Sequence, residues 1–173
     1  MLSELQKFYR LEIEPLLGPP KGASNAEIAQ LEKALGFPLP RDYRSFLRWM
    51  GKDTDGPLIG SDCFVDDIVD NNRTLVELLS ENDVSYRLPT RYVTVFTHQG
   101  YMAAWFEMPT AADDPPCAFL TEQTCELQFF DSVTDFFLEE LRALLPAVRK
   151  TRKHHRWWRL IKRAYNIARA RRP

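Results

Sequence analysis

Two short helices that mark their own ends constrain this chain more than any other stretch. Ser24-Asn25-Ala26-Glu27 is a capping box: the serine hydroxyl can accept from a first-turn N–H while the glutamate reaches back to the serine's own N–H. Behind it Ile28, Leu31 and Leu35 form one apolar face, and Gly36 can take the left-handed turn that ends a helix. Phe37-Pro38-Leu39-Pro40 cannot be helical throughout, and Pro40 suits the first position of a second helix. Tyr43, Phe46, Leu47 and Met50 then recur at i, i+3, i+4, i+7 and stop at Gly51.

The flanking sequence supplies what such a pair would pack against. Leu2, Leu5, Phe8, Tyr9, Leu16 and Leu17 predict a first helix that ends at Gly18-Pro19-Pro20. Residues 51–62 are turn chemistry, and a polar-rich helix is predicted over about 66–80 on Ile68, Leu75, Leu78 and Leu79. The period then changes to two. Tyr92–Thr97 is β-branched and aromatic, and His98-Gln99-Gly100 can turn it back into Tyr101–Glu107. Cys117–Leu120 and Leu127–Phe130 predict a second hairpin, with 109–116 as an exposed loop between the two. Ser132 caps a last core helix with Val133, Phe136, Phe137, Leu141, Leu144 and Leu145 inward and Pro146 closing it. Helices, a meander of strands and a closing helix predict an α+β domain with an antiparallel sheet.

Charge divides the chain. All 24 Asp and Glu precede residue 147, while eleven of the 23 Lys and Arg follow it. Residues 1–146, with the remaining twelve Lys and Arg, carry −12, and residues 147–173 carry +11. The organisation expected is a domain over 1–146 and a basic tail over 147–173. No apolar run is long enough to span a bilayer, and the charged N-terminus lacks the h-region of a secretory signal. Three cysteines, an odd number without a CxxC, fit a reducing compartment, so the cytoplasm is expected.

Templates for chemistry are absent. There is no GxSxG, P-loop, HExxH or GxGxxG motif, and His154-His155 lie in a Lys/Arg run. Cys117 and Cys125 lie on predicted strands eight apart, where they are read as buried thiols acting as small hydrophobes. Asp53-Thr54-Asp55-Gly56 mimics the middle of a calcium loop but lacks its first ligand and its closing Glu. The expectation is a non-enzyme without metal or cofactor; Asp66-Asp67, Asp70 and Asp113-Asp114 are read as a solvated acidic face.

The ordered set Ser24, Ile28, Leu31-Glu32, Leu35-Gly36, Leu39-Pro40, Asp42-Tyr43, Phe46-Leu47 and Met50-Gly51 resembles the signature of the SUKH superfamily, which includes the yeast Smi/Knr cell-wall regulators. The central hairpin and the Ser-capped Phe/Leu helix follow in the same order, so the resemblance covers about residues 1–146. These motif residues are core and backbone punctuation, so they identify a scaffold and carry no chemistry. Bacterial members are typically immunity proteins encoded beside polymorphic toxins, often nucleases. The resemblance therefore implies a cytoplasmic protein that binds one cognate toxin stoichiometrically.

Acidity fits that role, because nucleases are basic and an acidic inhibitor can be steered onto them. Asp53, Asp55, Asp62, Asp66, Asp67 and Asp70, between the second helix and the sheet, are the candidate toxin-facing residues. In the tail, Trp157, Leu160, Ile161, Ala164 and Ala168 share one helical face. A basic amphipathic helix is expected there, with Arg156, Trp157, Trp158, Arg159, Lys162 and Arg163 as its interaction residues. It can pack on the chain's own acidic body, bind nucleic acid by counterion release and stacking, or lie on an anionic membrane. A regulatory scaffold and a nucleic-acid-associated protein are the alternative functions.

Overall fold

The structure, a computed structural model, describes residues 2–152. An N-terminal rod consists of α1 (Leu2–Phe8), a π-helical turn (Tyr9–Ile13) and α2 (Glu14–Leu17). Then come α3 (Asn25–Leu35), α4 (Arg41–Met50), β1 (Ser61–Asp62), α5 (Ile68–Glu81), β2 (Arg91–His98), β3 (Met102–Met108), β4 (Cys117–Thr121), β5 (Gln128–Phe130) and α6 (Val133–Arg152). Among the described residues the strands form an antiparallel sheet in the order β1-β2-β3-β4-β5, which is the expected α+β meander.

The π-helical turn has a local cause. Pro15 has no N–H to offer the carbonyl four residues back, and its ring crowds that carbonyl. Just before it, the Glu14 N–H bonds to Tyr9 O, five residues back, and the rod continues as α2. Tyr9 and Ile13 both stay buried across this adjustment. The capping box forms in full: Glu27 N–H donates to Ser24 Oγ at 3.3 Å and Ser24 N–H to Glu27 Oε2 at 2.8 Å. Gly36 ends α3 at φ 80°, which a residue with a Cβ rarely adopts. Pro40 sits one position earlier than expected, as the extended N-cap of α4.

The centre of the sheet is covered on both faces, so β3 and β4 are almost continuously apolar and the middle of β2 is buried residue after residue. One face sends Val93, Val95, Phe96, Ala104, Phe106 and Phe119 into the main core with α3, α4 and α6. On the other, Ala103, Trp105, Ala118 and Leu120 meet Leu75, Leu78 and Leu79 of α5. A bulge between Thr94 and Phe96 upsets the strict alternation. Val95 and Phe96 are adjacent in sequence, yet both enter the main core, because the extra residue resets the pleat. The β2–β3 turn takes positive φ at Gln99 (48°) and Gly100 (81°), the twist that suits a tight hairpin.

Two expectations are corrected. Pro146 lies inside α6, which continues to Arg152. Pro146 is exposed, and Val148 and Arg149 hold the following turn through burial and an ion pair with Glu12. Cys125 is exposed in a turn at φ 52°, not a small hydrophobe on a strand, whereas Cys117 is buried as expected. The loop 109–116 is exposed over most of its length, as expected, but its later part is tied to the two helices. Asp113 O accepts from Asp42 N–H (2.9 Å), Asp114 Oδ1 from Thr134 N–H (3.2 Å) and Pro115 O from Val133 N–H (2.9 Å). These bonds satisfy the first turns of α4 and α6.

The entry to α3 is tighter than its sequence suggests. A Cβ on Gly22 would lie 1.6 Å from the Arg48 carbonyl oxygen, and Ala23 N–H bonds to Leu47 O at 2.8 Å. Gly22→Ala should therefore cost about 3 kcal/mol by forcing α3 and α4 apart. Ser24→Ala, which removes half of the capping box, should cost about 1 kcal/mol. Urea denaturation of the two variants against the parent checks the order and size.

Candidate functional site

The acidic residues after α4 follow from how the chain crosses to the sheet edge. Val65 N–H bonds to Gly51 O at 2.9 Å, and Asn71 Nδ2 donates to Asp62 O at 2.8 Å, so the segment is held at both ends. Asp67 Oδ2 accepts from Phe64 N–H at 3.1 Å and closes the turn that starts α5. Asp62, Asp66, Asp67 and Asp70 thereby gather at the N-terminal end of α5, where the helix dipole favours negative charge. Burial pushes the Asp67 carboxyl up, and the charges of Asp62, Asp66 and Asp70 push it further. Three carboxylates close enough to act on Asp67 make, with it, a local field of one sign.

Lys52 ties this cluster to α3. Its ammonium lies 2.6 Å from Asp66 and 2.9 Å from Glu27. The bond from Lys52, followed by that from the Ser24 backbone, holds Glu27 down at about 2. Both acids raise Lys52 in return, Asp66 the more. Arg73 lies 3.4 Å from Asp70, so two cations stand among the carboxylates, and the four aspartates with Glu27 still leave the cluster net acidic.

Asp53 and Asp55 do not join it in the way the sequence suggests. Asp53 is only 5% exposed and belongs to the interior: Tyr9 OH donates to its Oδ2 at 3.4 Å, and its carbonyl accepts from Gly56 N–H at 2.8 Å. Its removal from the candidate surface has a steric reason, because a Cβ on Gly56 would sit 2.1 Å from that same Oδ2. The glycine lets the loop fold over the carboxylate. Asp55 is exposed and lies 3.5 Å from Lys21. Asp113 pairs with Arg41 at 2.7 Å, so it too is apart from the cluster.

Periodicity alone missed two residues. Val69 and Val76 are 47% and 48% exposed on the outer arc of α5, beside Asp70, Arg73 and Glu77. Each follows a buried residue, Ile68 or Leu75, and their seven-residue spacing is the only signal they leave in the sequence. Asp66 lies one turn before Val69 and Asp70 next to it, so acidic groups flank an exposed apolar residue at the start of α5, and Val76 continues the same face two turns on.

The tail residues Arg156, Trp157, Trp158, Arg159, Lys162 and Arg163 lie outside the described residues, as does the basic helix expected beyond Arg152. The start of the tail is described, and there Arg149 pairs with Glu12 of the N-terminal rod. Among the described residues no group of three His, Cys, Asp or Glu is arranged to hold a metal ion, and no helix is long and apolar enough to cross a membrane. Ser61 Oγ and His98 Nδ1 are 2.9 Å apart at the sheet edge, where the ring also stacks on Phe96.

The buried Asp53 predicts a pH dependence. Burial, the largest effect, and the charge of Asp55 raise it; bonds from the Lys21 backbone and Tyr9 oppose that rise. Between the ordinary Asp value and the raised one, the folded chain holds a proton that the unfolded chain has released. Stability therefore falls as pH rises through that window. The urea midpoint should climb as pH is lowered from neutral through that window. Asp53→Asn, which keeps an acceptor for Tyr9, should show a smaller climb in the same titration.

Comparison with known families finds that residues 22–139 match the model of the SMI1 / KNR4 family (SUKH-1). No curated protein matches the chain.

Proposed function

The chain belongs to the SMI1 / KNR4 family (SUKH-1), and from that premise we propose that it is an immunity-type protein that binds and neutralises a cognate toxin, most plainly a basic nuclease, in the cytoplasm. The observation that carries this reading is the start of α5, where Asp62, Asp66, Asp67 and Asp70 gather beside the exposed Val69, with Val76 exposed two turns further along the same helix. An acidic face attracts a protein that is basic because it holds phosphates, and long-range attraction raises the rate of productive encounters. Once seated, two exposed valines exclude water at the centre while the carboxylates meet Lys and Arg at the rim. Such inhibition needs no bond made or broken by this chain. It blocks the toxin by occupying the surface that substrate would use, and the proposal assigns the chain no catalytic residue, metal or cofactor.

The test has two steps. The full chain is used to capture partners from its native cells with and without nuclease treatment, and the captured protein is then purified. The expected result is one basic protein recovered in near-equal amount after nuclease treatment, whose activity on nucleic acid is abolished at one equivalent of this chain. The triple variant Asp62→Lys, Asp66→Lys, Asp70→Lys should slow association by at least about a hundredfold at low salt, since three reversals turn attraction into repulsion. Recovery of several signalling or cell-wall proteins would point to the scaffold role. Recovery of nucleic-acid-bound proteins that vanish with nuclease would point to the tail.

A further inference from the structure

The N-terminal rod and α6 lie side by side and leave an open groove of about 260 Å³ between them. Glu4, Phe8, Leu11 and Glu12 wall one side, and Leu138 and Arg142 the other. Leu11 is 62% exposed here, more than Ile59, Val69 or Val76. The groove's charges largely cancel: Lys7 and Arg142 stand against Glu4 and Glu12, Arg142 also pairs with Glu139, and Arg149 takes Glu12. An apolar filling, not a charge, is what this groove selects.

We propose that residues 157–168 of this same chain fill it. The described chain ends at Arg152 on α6, beside the groove, with Val148 buried and Arg149 paired to Glu12 on the opposite wall. Residues 153–156 then supply a four-residue connection, within the range of about two to five that joins antiparallel helices. Beyond it Trp157, Leu160, Ile161 and Ala164 recur at i, i+3, i+4, i+7, the pattern that presents one apolar stripe. At 1.5 Å per residue that stripe is about 11 Å long, and the rod from Glu4 to Glu12 is about 12 Å. A returning helix would therefore set its stripe against Phe8, Leu11 and Leu138, with Arg159, Lys162 and Arg163 off it. Tethering so close to the groove gives an effective concentration on the order of millimolar, so modest contacts suffice. The basic tail is then part of the fold and not an arm for nucleic acid. This seat is on the rod and α6, away from the acidic start of α5, and it stands whether or not a toxin is the partner.

Hydrogen–deuterium exchange on the full-length protein tests it. Amides of 157–168 should exchange at least about tenfold more slowly than an unstructured chain. Leu11→Arg, at an exposed position, should return them to the unstructured rate while α4, α6 and the sheet keep their protection. Val76→Arg, on the opposite layer, should change nothing in that segment. Unstructured exchange of 157–168 in the parent, or protection that survives Leu11→Arg, overturns the proposal. So does protection that grows with protein concentration, which would mean a second copy, or that appears only with added RNA or anionic vesicles.

Discussion

Phe46 of α4 stacks on Phe137 of α6 with ring centroids 4.2 Å apart, and the placement of the helical layer depends on that contact. Phe136, the residue before it, packs edge-on against Phe96 of β2 at 5.3 Å and tilts on Phe119 of β4 at 5.6 Å, so α6 is keyed to the sheet where the bulge has turned Phe96 inward. Tyr43, one turn before Phe46, meets Phe106 edge-on at 5.6 Å. Rings of this size bury large areas and prefer edge or offset contacts, so they fix orientation as well as distance. Close packing leaves little freedom to slide. The N-terminal rod is then placed by Tyr9 against Trp49 (5.3 Å, nearly perpendicular), and the groove beside α6 follows from where the rod comes to rest.

α5 does two jobs with two faces. Leu75, Leu78 and Leu79 close the second face of the sheet over Trp105. Its side chains also finish the sheet edge, since Asn72 Oδ1 accepts from Thr94 N–H at 2.8 Å and Asn71 Oδ1 from Thr97 Oγ1 at 3.2 Å. A short β1 leaves part of β2 unpaired, and Asn72 occupies a position that another strand would otherwise seek. The outer face is thereby fixed in place and free to carry Asp70, Val69 and Val76. A rigid helix is a better platform for a partner than a loop, and here the rigidity comes from the same helix's buried side.

Much of this was legible in the residues. The capping box, the Gly36 and Gly51 stops and the stripe Tyr43, Phe46, Leu47, Met50 are local chemistry, and local chemistry survives in the fold because it agrees with the burial that follows. The strand pattern from Tyr92 and the hairpin at Gln99-Gly100 were legible for the same reason. The acidic surface was legible only in part. Asp62, Asp66, Asp67 and Asp70 gather because a short turn leads directly into a helix. Asp53 was misplaced, because its burial depends on Tyr9, 44 residues earlier, and on the lack of a side chain at Gly56. Pro146 was read as an end because prolines usually are; the contacts of Val148 and Arg149 with distant residues carry α6 past it.

The sequence by itself determined the element types, most of their ends, the α+β class and the separation of charge at residue 147, since each of these follows from spacing, capping and composition within a few turns of chain. Only the tertiary structure decided that α5 covers the second face of the sheet, that Val95 and Phe96 point the same way, and that Asp114 and Pro115 cap α6. It alone decided which aspartates meet solvent. The physical reason is that these facts depend on pairs of residues far apart in the chain, whose contact is set by packing one layer on another and leaves no period in the sequence.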